Sequence, residues 1–428
     1  MDQGELSRAA TARRGLPPLT DRQVDRACSL LRDDGLRAVR HELEVEDERV
    51  LREQQELTEI PAPPFGEAER ARRMSELLTD AGLEDVQTDG EGNVVALLPS
   101  ANGDGPGRGP IVVSAHLDTV FPEGTDVRVR RRGDRLVGPG ISDDGRGLAA
   151  LLAVARALVR RRVTLCHPVL FAATVGEEGA GDLRGVRHLF RQDGAARSAV
   201  AFLSLDGAGL NRIVSAGLGS RRFRAALEGP GGHSWVNWGT ANPIHALGCA
   251  VSRWVAITLP EEPAATLTVA RWGGGTSINA IPQEAWVELE LRCSSEGVLE
   301  ALEAEVREVL EAAVSDTHRS AAHSTEPLRA ELRSIGRRPA GETAPGAMIV
   351  RSAAAATRAI GGSPELAVSS TDANIPMALG IPAITMGAGG EAGAAHTTEE
   401  WYRNVQGPEG ILRALLTLAL MDEDADGE

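Results

Sequence analysis

The sequence predicts an α/β protein, a helix-flanked mixed sheet interrupted by a smaller, inserted α+β unit. Three observations carry that prediction. The chain is 428 residues long, more than one ordinary core fills, so two domains are expected. Pro110-Ile-Val-Val-Ser-Ala115 and Val169-Leu-Phe-Ala-Ala-Thr-Val175 are nearly continuous apolar runs, the pattern of strands covered on both faces. Around residue 213 the texture changes to a β-β-α-β-β-α order, which marks the insertion.

The elements follow in chain order. Residues 1–20 are small and polar and read as a frayed arm. From Asp21 to Glu59 the spacing of Val24, Leu30, Leu31, Leu36, Val39 and Leu43 predicts helical material, which Pro61-Ala-Pro-Pro64 stops. A second amphipathic helix fits 66–81, with Gly82 as its C-cap. Strands are predicted at 93–98, 110–115, 168–175 and 200–205, and helices at 145–161 and 182–191. In the inserted unit, strands at 211–216, 219–228, 264–272 and 284–292 bracket helices at about 241–257 and 295–315. Arg337–Gly341 reads as the return linker, and a helix at 346–360, a strand at 383–386 and a helix at 408–420 resume the first style. Ala101–Pro110 is a Gly/Pro-rich loop, and the acidic run Asp422–Asp426 is expected to be a solvated tail. The domain boundaries drawn this way are 1–45 for an N-terminal arm and helix, 46–213 with 341–428 for the main domain, and 214–340 for the insertion.

Composition excludes several classes of function. The formal net charge is −16, whereas a nucleic-acid binder needs a basic face and anionic membranes attract basic segments. Every Lys/Arg position is Arg, so carboxylates and His, rather than a Lys base or Schiff base, must carry any chemistry. Cys28, Cys166, Cys249 and Cys293 are scattered without a CxxC pair and read as reduced, mostly buried thiols. The N-terminal MDQGELSRAATARRG has no apolar h-region, and no apolar run approaches the roughly 20 residues of a membrane span. A soluble, cytoplasmic protein is the expectation.

Five short segments carry acidic or imidazole groups at the ends of predicted strands or just beyond them, where ligands of α/β sheets gather. In Ser114-Ala-His116-Leu-Asp118, His116 and Asp118 are two apart on an extended segment and point the same way. Such a pair serves a metal-binding His and its orienting carboxylate, or an ordinary turn. Gly138-Pro-Gly-Ile-Ser-Asp143-Asp144-Gly is a Gly-rich turn opening a helix; its Asp residues suit a ligand or a helix cap. Glu177 and Glu178 follow an apolar strand directly, and a dication would offset their mutual repulsion. Asp206 closes another strand, and His396 lies in the Gly-rich segment Gly387–Thr398.

Together, SAHLDTV, GPGISDDGRG, VGEEG, SLDG and AHTTEEW resemble, in order and context, the metal motifs of the M20 metallopeptidases. This group includes tripeptidase-like aminopeptidases, carboxypeptidases and amino-acid deacylases. GPGGHSW, TSINAIPQEAWVELELR and SSTDANIPMALGIPAI extend the resemblance from about Glu48 to the end. The resemblance implies that Asp143 bridges two divalent ions, most simply Zn²⁺, with Co²⁺ or Mn²⁺ as alternatives. His116 and Asp206 would complete one ion, and Glu178 and His396 the other. Glu177 would be the general base, and Asp118 would orient His116. It makes the main domain catalytic and the insertion a lid/dimerisation domain. In dimeric relatives the His of the motif that reads GGHSW here reaches the partner's active site, so His233 would act in trans within a homodimer. Asn279 and Arg292 look like substrate-binding groups, although Arg292 serves equally in a structural ion pair.

The sequence departs from many relatives at Gly145-Arg146, where Lys follows the bridging motif; a change in local substrate contacts is the expectation there. The leading reading is an exo-acting peptidase on small peptides, with an aminopeptidase-like wording of the motifs. An N-acyl amino-acid deacylase would use the same ions with a different pocket. A silent, metal-binding paralogue would have no use for the spare carboxylate of Glu177.

Overall fold

The computed structural model describes residues 19–100, 109–160, 165–322 and 326–423. It divides into two compact units, Met1–Gly217 with Glu342–Glu428, and Leu218–Gly341. The expected loop at 101–108, the arm before residue 19 and the acidic run after Glu423 lie outside the described residues.

In the first unit a nine-stranded mixed sheet runs in the order Gln87–Thr88, Val94–Leu98, Val169–Thr174, Ile111–His116, Ala201–Leu205, Ala383–Met386, Arg212–Gly217 and Gly341–Glu342, with Glu365–Ser369 pairing on Arg212–Gly217. The four strands from Val169–Thr174 to Ala383–Met386 are mutually parallel. Val94–Leu98 and Arg212–Gly217 flank them antiparallel. Every residue of Ile111–His116 and Val169–Thr174 is buried, which is why these runs carry no polar alternation. Helix Gly145–Val159 packs beside them, buried on nearly every face. Parallel order at the centre puts the carboxyl ends of three adjacent strands side by side, and His116, the Glu177–Glu178 turn and Asp206 stand there.

The helical material expected before Pro61 is present as three helices, Asp21–Leu30, Asp34–Val45 and Asp47–Thr58. Asp33 makes one break by capping the second helix, accepting from Gly35 N at 2.9 Å. Leu36, Val39, Leu43, Val50 and Leu57 from these helices join the core of the first unit. Arg212–Gly217 belongs to the main sheet rather than to the insertion. A small second sheet, ordered Glu391–Gly393, Trp401–Arg403, Arg135–Val137 and Arg130–Arg132, was not expected. The acidic run begins inside helix Gly407–Glu423: Asp422 is buried and accepts from Cys166 N at 2.7 Å and His167 N at 3.0 Å. Of the cysteines, all free, Cys293 is buried, Cys28 and Cys166 are half-buried and Cys249 is exposed.

The second unit is a four-stranded antiparallel sheet in the order Ala265–Gly274, Glu284–Cys293, Gly219–Glu228 and Arg329–Arg338, covered by helices Pro243–Trp254 and Glu296–Ser320. Arg329–Arg338, of which only the last two residues were placed by the sequence, in the return linker, is an edge strand whose residues are mostly exposed; without a buried face it has no apolar alternation to betray it. Trp254 is the one buried tryptophan among the described residues, its indole donating to Val306 O at 3.0 Å. Trp235 and Trp238 are exposed by 84% and 75%.

Candidate metal centre

The site is assembled from loops that leave the sheet. His116 ends its strand buried, and its Nε2 lies 3.0 Å from Asp143 Oδ1. His396 approaches the other oxygen of Asp143: its Nε2 is 3.1 Å from Asp143 Oδ2 and 3.0 Å from Glu178 Oε1. The backbone of His396 is left-handed (φ 63°), an uncommon conformation for a side chain of this size. Among the described residues, ligand atoms gather within 4.8 Å of one another in three groups: His116 with Asp143 and Asp206, Asp143 with Glu178 and His396, and His116 with Glu177 and Glu178. Asp143 is common to the first two, as a bridging ligand must be.

The electrostatics follow from crowding like charges in a buried space. Burial opposes ionisation of Asp143, but hydrogen bonds from the His116 and His396 imidazoles hold it well below the usual carboxylate range. Among the described residues no imidazole is hydrogen-bonded to Asp206, and burial, reinforced by the charge of Asp143, pushes it up to about 7. Bonds to Asp143 and Glu178 raise His396 to about 10. His116 is raised as well, its burial outweighed by Asp143, Asp144 and Asp118. Imidazoles and carboxylates held this close form a donor set that divalent cations fit.

A scaffold of buried polar groups holds these side chains. The Asp118 carboxylate accepts from Glu177 N at 2.9 Å and Glu178 N at 2.7 Å. Its backbone carbonyl lies 3.0 Å from His116 Nδ1, while its Oδ1 is 3.8 Å from that nitrogen. Asp144 accepts from His116 N, Gly147 N and Gly207 N at 3.0, 2.9 and 3.1 Å; burial raises its carboxyl well above the ordinary value. A Cβ on Gly147 would stand 2.1 Å from Asp144 Oδ1, so this glycine makes room for the carboxylate. Glu400 accepts from Gly140 N, Ser142 N and Asp143 N at 3.2, 2.8 and 2.9 Å. Gln54 donates to Ile141 O at 2.7 Å, and Arg70, fully buried, donates to Leu117 O at 2.7 Å.

The sequence nominated the ligands and Glu177. Glu400 caps the Asp143 turn, whereas Glu399 is exposed and paired with Arg132 at 2.7 Å. Gln54 and Arg70 were missed as site-builders, because a helical Arg or Gln normally signals a solvated face. Arg146, where a change in substrate contacts is the expectation, is held by backbone carbonyls. It is buried and donates to Ala388 O at 2.8 Å and Gly407 O at 2.7 Å.

The other nominated residues lie in the second unit. His233 pairs with Ala280 across the short ladder Gly232–His233 and Ala280–Ile281, and Ser234 N donates to Asn279 O at 3.0 Å. His233 and Asn279 are therefore neighbours. His233 Nδ1 accepts from Trp235 N at 3.2 Å, which leaves the proton of the neutral ring on Nε2. Arg292 is engaged by Glu290, with Nε 2.8 Å from Oε2 and Nη2 3.0 Å from Oε1.

Comparison with known proteins places this architecture. The model of the family described as Peptidase family M20/M25/M40 matches residues 112–420. No curated protein sequence matches the chain. Among solved structures, the aminopeptidase PepT of Bacillus cereus ATCC 10987 is 26% identical, with 88% of this chain and 98% of that one covered at a TM-score of 0.69. A tripeptidase of Staphylococcus aureus subsp. aureus Mu50 is 20% identical over 89% and 98%, with a TM-score of 0.70. The Bacillus subtilis YXEP protein, a dinuclear metal binding peptidase from the M20 family, is 18% identical over 88% and 98%, with a TM-score of 0.64. Among the described residues no helix is long and apolar enough to cross a membrane.

Proposed function

The chain belongs to peptidase family M20/M25/M40, and from that premise we propose that it is a two-ion exopeptidase, aminopeptidase-like, that hydrolyses an amide bond of a small peptide. The observation that supports this most is the sharing of Asp143 between two ligand groups, one with His116 and Asp206 and one with Glu178 and His396. Zn²⁺ is the proposed metal, with Co²⁺ or Mn²⁺ as alternatives. When bound, the ions supply positive charge that acidifies a water and polarises the scissile carbonyl.

The protein's own groups do the rest. Glu177 is the proposed general base: it takes the proton of the attacking water and delivers it to the leaving amine. Its backbone N–H is bonded to Asp118, which anchors the main chain that carries it. In a homodimer, His233 would donate its Nε2 proton to the developing oxyanion of the partner subunit's site. Asn279 is a proposed substrate contact, and Arg292 would have to exchange Glu290 for a substrate carboxylate to become one. A catalytically silent paralogue would leave the buried, backbone-anchored Glu177 unused.

The test is turnover, followed by mass spectrometry, of a mixed panel of di- and tripeptides, C-terminally blocked peptides and N-acyl amino acids. Added Zn²⁺, Co²⁺ or Mn²⁺ covers the metals, and the Glu177→Gln protein serves as the blank. Cleavage of free peptides from the amino end is the expected result. Release of amino acids from the N-acyl substrates alone would make the protein a deacylase instead.

A further inference from the structure

We propose that Glu400 is a positioning residue that sets the place of the ion held by Asp143, Glu178 and His396; the inference rests on the two-ion reading above. Glu400 is 1% exposed and belongs to none of the three ligand groups, yet it joins the two segments that must meet. It stands four residues after His396 on the same loop, and on the facing turn it collects Gly140 N, Ser142 N and Asp143 N. Its own backbone carbonyl accepts from Gly138 N at 2.9 Å, so the Gly138–Asp143 turn is gripped at four N–H groups by one residue. Within the loop, Glu400 N donates to Thr397 O at 3.1 Å, which ties the carboxylate to the turn that presents His396. The imidazole of His396 and the carboxylate of Asp143 are therefore brought to their 3.1 Å separation by the backbone attachment of Glu400.

Asp144 has a matching place on the other side. Its carboxylate gathers His116 N and Gly207 N, the backbone of one ligand and the residue after another, Asp206. The two buried acids thus divide the centre: Asp144 holds the segments of the His116–Asp206 pair, and Glu400 holds those of Asp143 and His396. Outer groups that fix ligands are worth roughly 10- to 100-fold in metal affinity. A glutamine at position 400 keeps one acceptor but turns an amide donor toward a backbone N–H, so it loosens the grip without emptying the space.

The experiment is calorimetric titration of Zn²⁺ into chelator-stripped full-length protein, comparing wild type, Glu400→Gln and Glu399→Gln, with circular dichroism to verify folding. Wild type is expected to bind two ions, and Glu399→Gln to match it. Because Asp143 is shared by both ligand groups, folded Glu400→Gln is expected to weaken the ion that His396 helps to hold roughly 10- to 100-fold and the other ion clearly less. If folded Glu400→Gln binds both ions as wild type does, or weakens both equally, Glu400 has no such role. Should Glu400→Gln not fold, Glu400→Asp, one methylene shorter, is titrated instead, and wild-type affinity for both ions there overturns the proposal. Failure of wild type itself to bind two ions would instead sink the two-ion reading.

Discussion

The carboxylate of Asp118 accepts the backbone N–H of Glu177 at 2.9 Å, and its other oxygen takes that of Glu178 at 2.7 Å. One buried side chain therefore anchors both the proposed base and the ligand beside it. An Asn at this position would turn an amide donor toward one of those N–H groups. An unsatisfied buried donor costs about 1–3 kcal/mol, so Asp118→Asn should melt earlier and lose roughly 10- to 100-fold in turnover. Thermal melts with steady-state kinetics check this; wild-type kcat in a folded Asp118→Asn protein would contradict it.

Protons and metal compete for the same imidazoles. In the metal-free protein, bonds to Asp143 and Glu178 hold His396 at about 10, above its ordinary 6.5. A folded-state value above the unfolded one gives stability that is fully present below about 6.5 and lost as pH rises through about 10. Cations displace these protons, so binding should release about one to two of them near neutrality. The gain in Tm on adding Zn²⁺ should accordingly grow from about pH 6 to about pH 9. Titration in buffers of different ionisation enthalpy reads the proton count, and zero release would contradict the assigned ligands.

Much of this centre was legible in the sequence because its ligands stand at the ends of apolar strands: His116, Glu177, Glu178 and Asp206 each follow such a run. The scaffold was less legible. Asp144 reads as an ordinary helix cap, which it is, accepting from Gly147 N; that it also reaches His116 and Gly207 depends on tertiary placement. Arg70 sits in an amphipathic helix and looks solvent-facing until Leu117 O accepts its Nη1. The edge strand Arg329–Arg338 was hidden by its own exposure, and the Glu290 that engages Arg292 could not be picked out from the sequence.

The role proposed for His233 has a direct consequence for mixed subunits. His233→Ala and Glu177→Gln proteins should each be inactive alone. Mixed under conditions that exchange subunits, they should recover a measurable fraction of wild-type turnover, because one heterodimer site then keeps both groups. Native mass spectrometry verifies the heterodimer, and absence of recovery with heterodimers present would contradict action in trans.

Turnover of a free tripeptide by ion-loaded Glu177→Gln protein, measured against wild type, tests the central proposal most directly. Glu177 is buried and joins His116 and Glu178 in the third ligand group, but it is not needed to complete either of the two that share Asp143. Removing its basicity should therefore lower kcat by about 10²- to 10⁴-fold while both ions stay bound. Turnover within a few-fold of wild type, with both ions in place, would contradict the assignment of Glu177 as the base of a two-ion peptidase.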